Sequence, residues 1–418
     1  MRADEAADRI AAIHRAWFGR AVGVLVRSLR DLDLAEESVQ DAFATALERW
    51  PRDGFPDEPG AWIVRTAHNR AIDVLRRRRV GAERERSAAA SGERLGPPAP
   101  AELGDERLDL LFGCCHPALA EEARVTLTLR IVAGLTVEEI ARAFLIAPAT
   151  VAQRLVRAKR RVREAGIPLR VPPAELLPER LDSVLGTIYL LFNEGYAATA
   201  GPDPIRGELC DEAIRLARLL VRLMPDEPEA RGLLGLLLAT DARRAARYDG
   251  PRMVPLDEHD RARYDRAKLR EAQGLVIEAL RREPGPYGVQ AAIAALHSSA
   301  PTADDTDWAQ IVELYDVLYA MRPTPVVALN RAAAVSFADG PAEALPLLDE
   351  LAGDLDAFGP FHAARADVLR RLGRDGEAAV AYEAALATTT NEGEAAFLEA
   401  RRALVREPNR AARRAQGR

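Results

Sequence analysis

Several kinds of residue are scarce in this chain, and each scarcity removes a class of protein. Cysteine occurs three times, at Cys114, Cys115 and Cys210, too few for a disulfide framework. The six histidines do not cluster with other metal ligands. The run Cys114-Cys115-His116 lacks a second ligand pair at zinc spacing and follows "DERLDLLFG", so it reads as the end of a buried helix. No metal and no cofactor is expected. Glycine-rich phosphate loops, a nucleophile elbow and a His-Glu-x-x-His pair are all missing, so nothing points to an enzyme. No apolar run approaches the roughly 20 residues that span a bilayer. The opening "MRADEAADRIAAIHRAW" interleaves charge with apolar residues and has no signal-peptide core. A cytoplasmic protein without a membrane partner is expected.

Alanine and leucine, by contrast, outnumber the β-branched and aromatic residues together. Both are strong helix formers, so the expected class is all-α. At 418 residues the chain can hold about two to four domains. Its net charge of −6 is unevenly divided: residues 1–170 carry 28 basic against 25 acidic side chains, the remainder 30 against 39. A mildly basic head on an acidic body places any nucleic-acid contact in the head.

Within the head, "DLAEESVQDAFATALERW" (33–50) puts Val39, Phe43, Ala46, Leu47 and Trp50 on one helical face. Asp33 is placed to cap this helix, with Glu36 completing a capping box. Three prolines and two glycines in 51–60 should break it sharply. A second helix is expected from Ala61 to about Arg78. In it Ile63, Ala67, Ala71 and Val74 make the buried stripe, and Arg65, Asn69, Asp73 and Arg76 make a polar one. Residues 80–104 are rich in Ala, Gly, Pro and Ser, the composition of a flexible linker.

The segment "TVEEIARAFLIAPATVAQRLVRAKRRVRE" (136–164) reads as a helix-turn-helix. Thr136 and Glu139 form a capping box, Ile140 and Ala141 face inward, and Pro148 suits the first position of the next helix. There Val151, Leu155, Ala158 and Val162 recur at core spacing. Thr150, Gln153, Arg154 and Arg157 project from the N-terminal half of the opposite side, where such a motif meets major-groove base edges. Lys159, Arg160, Arg161 and Arg163 are placed to hold phosphates. A merely solvated face would carry acidic partners at i±4, and none occurs within 149–163.

Pro168, Pro172, Pro173 and Pro178 mark a junction, beyond which the chain is weakly repetitive. Ala344 and Ala378 lie 34 residues apart, Gly340 and Gly373 33 apart, and Pro225 and Pro323 98 apart. Such spacings resemble tetratricopeptide-like helical repeats, with a plain helical bundle as the alternative.

Taken in order, "AEESVQDAFATALERW…AWIVRTAHNRAIDVLRRRR", the linker, and "GLTVEEIARAFLIAPATVAQRLVRAKRRVR" resemble an extracytoplasmic-function (ECF) sigma factor of bacterial RNA polymerase. The resemblance implies sigma region two over 5–79, a linker over 80–104 and region four over 105–165. A second linker at 166–179 would then lead into a tetratricopeptide-like extension over 180–418. It implies two partners, core RNA polymerase and promoter DNA. Gln40 and Asp41 would meet the polymerase clamp. Arg65 and Asn69 would read a flipped base of the minus-ten element, with Arg76 and Arg77 of the 76–79 run tracking phosphates. Thr150, Gln153, Arg154, Arg157, Lys159 and Arg160 would serve the minus-thirty-five element. Trp62 would help open the duplex or simply pack, the second being favoured. The chain departs from the family at the turn, where Leu145 stands for Gly, and at the helix cap, where Ala147 stands for Ser or Asp at a cost of about 1 kcal/mol. The extension, with "YLLFNEGY" (189–196) and "VPLDEHDR" (254–261), resembles that of a subgroup in which it controls activity. A regulatory ligand or protein partner is expected there. The alternative is an ordinary DNA-binding regulator with a repeat sensor domain, which would have no use for the 35–50 helix.

Overall fold

Stretches rich in alanine, leucine and arginine become long helices, joined where glycine and proline cluster. The computed structural model describes residues 3–85, 106–144, 146–197, 205–249, 252–282, 284–389 and 392–416. It divides between Leu190 and Leu191 into two compact units.

The first unit begins with three helices: α1 (Ala3–Leu29), α2 (Leu32–Asp53) and α3 (Pro59–Glu85). Phe18, Val22 and Leu25 of α1 pack with Val39, Phe43 and Trp50 of α2 and Ile63, Ala67 and Ala71 of α3 to form its core. Trp62 packs its ring edge-on to Trp50, 5.3 Å between centroids. Four expectations are corrected. Asp31, not Asp33, caps α2, accepting the Leu34 N–H at 3.0 Å, while Arg30 takes a left-handed φ of 55° to make the turn from α1. Leu47 is 53% exposed, because residues 39, 43, 46 and 50 already fill the buried arc. The helix also runs through Pro51 to Asp53 before Gly54, at φ 88°, stops it. A proline so near the end forgoes a single helical hydrogen bond. Residues 80–85, expected as linker, extend α3; the rest of that linker, 86–104, falls outside the described residues.

Four shorter helices follow: α4 (Arg107–Cys114), α5 (Glu121–Ile131), α6 (Val137–Phe144) and α7 (Pro148–Glu164). Cys114 and Cys115 close α4 as free, buried thiols, and burial raises the pKa of both. A final helix, α8 (Leu177–Tyr196), starts within the proline-rich junction, taking in Pro178 and the last residues of the expected 166–179 linker. Its first half belongs to this unit. Ser183 accepts a hydrogen bond from Arg124 and donates one to the Cys115 carbonyl.

The second unit is built of packed helices: α9 (Gly207–Leu223), α10 (Pro228–Asp241), α11 (Arg266–Leu280), α12 (Pro286–Ser299), α13 (Trp308–Met321) and α14 (Pro325–Ala338). After these come α15 (Pro341–Glu350), the single turn α16 (Ala352–Leu355), α17 (Gly359–Arg371), α18 (Asp375–Thr388) and α19 (Glu392–Gln416). The one departure from helix among the described residues is a two-stranded hairpin, β1 (Tyr248–Asp249) with β2 (Arg252–Met253). Repeat spacing has a structural meaning here. Gly340 and Gly373 take φ of 109° and 73°, and the helix after each, α15 or α18, buries the small Ala344 or Ala378. Pro225 and Pro323 lie in the turns before α10 and α14. In "VPLDEHDR", His259 is held by the Val254 carbonyl and the Tyr264 hydroxyl. Arg261 donates to the His297 and Ala300 carbonyls.

Candidate nucleic-acid interface

The turn into α6 is built as its residues require. Glu139 accepts the Thr136 N–H at 2.8 Å while the Thr136 hydroxyl accepts the Glu139 N–H at 3.1 Å, so two otherwise unpaired backbone donors are satisfied. Ile140 and Ala141 are buried. Pro148 opens α7, and Ala147 offers no side-chain cap. Leu145, the other departure at this turn, lies outside the described residues. Along α7, Val151, Leu155, Ala158 and Val162 are all buried. That stripe fixes the rotation of the helix and turns Gln153, Arg157, Arg160 and Arg161 fully outward, with Thr150 and Arg154 half-exposed. Arg154, Arg157 and Arg161 form no ion pair among the described residues; Arg157 donates only to the Gln153 carbonyl, at 3.3 Å.

The same logic holds on α3. Ile63, Ala67 and Ala71 are buried and Val74 half-buried, so Arg65, Asn69, Asp73, Arg76 and Arg77 face solvent. The side chains of Arg78 and Arg79 lie outside the described residues. On α2, Gln40 is exposed and donates to Glu36 at 2.8 Å. Asp41 is half-exposed and paired with Arg70 of α3 at 2.7 Å. An exposed pair of this kind contributes little and yields easily to a partner.

The positive charge of α7 is less free than its sequence suggests. Arg160 pairs with Glu164 at 3.5 Å, one residue beyond the acid-free window. Lys159 lies between Asp33, at 3.3 Å, and Glu36, and Arg163 reaches Asp33 at 2.9 Å. These acids come from α2, more than 100 residues away, so local spacing could not reveal them. Glu36 is 4% exposed and also accepts from Arg130 at 2.6 Å; Arg130 in turn donates to the Leu135 carbonyl at 2.8 Å, bracing the turn into α6. One signal was available. Glu36 falls three and seven residues before Val39 and Phe43, on the apolar arc where a carboxylate must find a cation.

His14 sits between the rings of Phe18 and Phe43, at 4.8 and 4.6 Å. Burial, then the charge of Arg130, depresses its pKa to about 4, so it is neutral packing at ordinary pH. Among the described residues no group of three or more His, Cys, Asp or Glu side chains could hold a metal.

Family models match in the same order. Residues 13–80 match sigma-70 region 2, residues 109–162 match sigma-70 region 4, and residues 180–280 match a family of unknown function. The chain is 45% identical over 387 residues to an uncharacterized protein of Rhizobium meliloti, covering 91% of this chain and 92% of that one. It is 30% identical over 151 residues to the ECF RNA polymerase sigma factor SigK of Mycobacterium ulcerans and to that of Mycobacterium tuberculosis. Each match covers 34% of this chain and 78% of the relative.

Proposed function

Because the chain belongs to the ECF RNA polymerase sigma factors, we propose that its two outward polar faces divide the work of promoter recognition. The protein binds core RNA polymerase and promoter DNA and directs transcription initiation. Gln40 and Asp41 meet the polymerase. Arg65 and Asn69 read an unstacked minus-ten base, with Arg76 and Arg77 on the adjoining phosphates. Thr150, Gln153, Arg154 and Arg157 enter the major groove at the minus-thirty-five element, and Lys159 and Arg160 hold its backbone. The observation that supports this division is that both helices bury a narrow apolar stripe and leave the assigned residues outward, Lys159 excepted, which lies against Asp33 and Glu36. No described helix is long and apolar enough to cross a membrane, and the family's work is not catalytic.

The second unit governs this activity in our reading, and a ligand would be sought in a cleft of about 280 Å³ that includes His297, Trp308, Tyr315, Asn330 and Phe337. The rival reading, a regulator that does not need polymerase, leaves the region-two match without a use. The test is transcription in vitro from a promoter library by core polymerase plus this protein. Promoter-dependent transcripts are expected, reduced by Asn69→Ala and by Arg154→Ala; their absence with wild-type protein refutes the reading. Removing residues 197–418 should change the output, and an unchanged output refutes the regulatory role.

A further inference from the structure

The second unit belongs to the acidic part of the chain, yet one cleft in it is edged with arginines that meet no acid. The "VPLDEHDR" loop, the turn before α13, and helices α12 to α14 wall this cleft. Arg261 is 9% exposed, and its donors reach only neutral oxygens. Nη1 serves the His297 and Ala300 carbonyls at 2.9 and 2.7 Å, and Nη2 the Thr306 hydroxyl at 3.4 Å. Of the five guanidinium donors this leaves Nε–H and one Nη2–H, adjoining nitrogens that a carboxylate can bridge. Arg371, over the Phe337 ring at 4.8 Å, is likewise held by the Ser336 carbonyl and hydroxyl. Neither arginine forms an ion pair among the described residues, and a buried cation without a carboxylate is costly.

The cleft itself does not answer that charge. Of the side chains that line it, Asp257 alone is acidic, and it is exposed, so water screens it. His297 lies in the same positive field: burial, then the charges of Arg243 and Arg261, take its pKa down to about 3, so it stays neutral. The walls select the rest of a ligand. Trp308 stacks on Phe337, with 4.4 Å and 12° between the rings, and Tyr315 completes an aromatic lining that favours a flat ring over a flexible chain. A volume of about 280 Å³ holds about nine waters at ~30 Å³ each, hence a ligand of roughly ten heavy atoms. The loop is braced before any ligand arrives, through His259 to the Val254 carbonyl and Tyr264 hydroxyl and through Glu258 to Arg401.

We infer that this cleft binds a small aromatic carboxylate, its acid group against Arg261 with Thr306 and Asn330 as further donors, its ring among Trp308, Tyr315 and Phe337. The inference rests on the reading of the second unit as the part that senses a ligand.

The experiment titrates the full-length protein calorimetrically with benzoate, indole-3-carboxylate, the uncharged benzamide and the cationic benzylamine. Both carboxylates should bind, indole-3-carboxylate the tighter. Benzamide keeps the ring and loses the charge, so it should bind roughly 10- to 100-fold more weakly, and benzylamine should not bind. Ala333→Leu, at a half-buried position lining the cleft, should abolish binding by filling the space. Arg261→Gln should weaken the carboxylates and leave benzamide as it was. Because Arg261 also ties its loop, the comparison of ligands on wild type and the Ala333→Leu variant decide the matter if that protein does not fold. No heat from either carboxylate at millimolar concentration, equal binding of benzamide, or binding that Ala333→Leu leaves intact overturns the proposal. The truncation at residue 197 tests the underlying reading separately. If it changes transcription while neither carboxylate binds, the regulatory role stands and this ligand class falls; if the carboxylates bind as expected and it changes nothing, the site stands and the regulatory role falls.

Discussion

Replacing Arg154 with alanine separates base reading from phosphate holding on α7. Arg154 follows the buried Val151 by three residues and precedes the buried Leu155, so its side chain leaves the helix at the edge of the packed face. Among the described residues it has no ion pair to surrender. A guanidinium that reads guanine in two places contributes about 1–3 kcal/mol of discrimination, a factor of roughly 5 to 150 in affinity. Since Arg154 gives up no ion pair among the described residues, that loss should appear undiminished. Lys159 differs: it must leave Asp33 and Glu36 to reach a phosphate, so Lys159→Ala should weaken binding by less. The assay is polymerase-dependent transcription and duplex binding on promoters varied one base pair at a time in the minus-thirty-five element. Arg154→Ala should relax preference at one or two positions and leave the salt slope unchanged. A uniform loss across all sequences, with the slope shallower by about 0.9, would mark Arg154 as a phosphate contact and refute the base-reading assignment.

Further outcomes follow from other parts of the molecule. Gly373→Ala forces a side chain into φ 73° and should cost about 1–2 kcal/mol of second-unit stability by chemical denaturation, with DNA binding intact; an unchanged midpoint refutes it. A chain ending at Tyr196 should be more resistant to proteolysis than one ending at residue 175. The second cut removes Ser183 from Arg124 and Cys115 and takes away the buried Val184, Leu185 and Ile188, and equal resistance would remove α8 from the first unit. Stability should also fall with acid. His14 has a folded pKa of about 4 against an ordinary 6.5, so the fold requires its neutral form: its contribution is whole above about 6.5 and is lost as pH falls toward 4. His14→Gln should flatten that part of the urea-midpoint profile, and a profile identical to wild type refutes it.

Much of the head was legible because helical burial obeys period 3.6. The stripes Ile63–Ala67–Ala71 and Val151–Leu155–Ala158–Val162, the Thr136–Glu139 box and Pro148 at a helix start are all local, and the structure has each as the pattern predicts. Errors fell where the deciding partner was remote or the choice was between near neighbours. Asp31 and Asp33 are equivalent caps by residue type; the left-handed Arg30 selects the first. Leu47 is apolar and one step off a face already filled.

The chain's own residues thus determined which helices form, which side of each is buried and, through that rotation, which side chains point outward, since these depend on neighbours three and four positions away. Tertiary structure alone decided which outward charges are free. Arg154 and Lys159 are five residues apart on one helix, yet only Lys159 meets acids from α2, because Coulomb attraction depends on distance through space rather than along the chain.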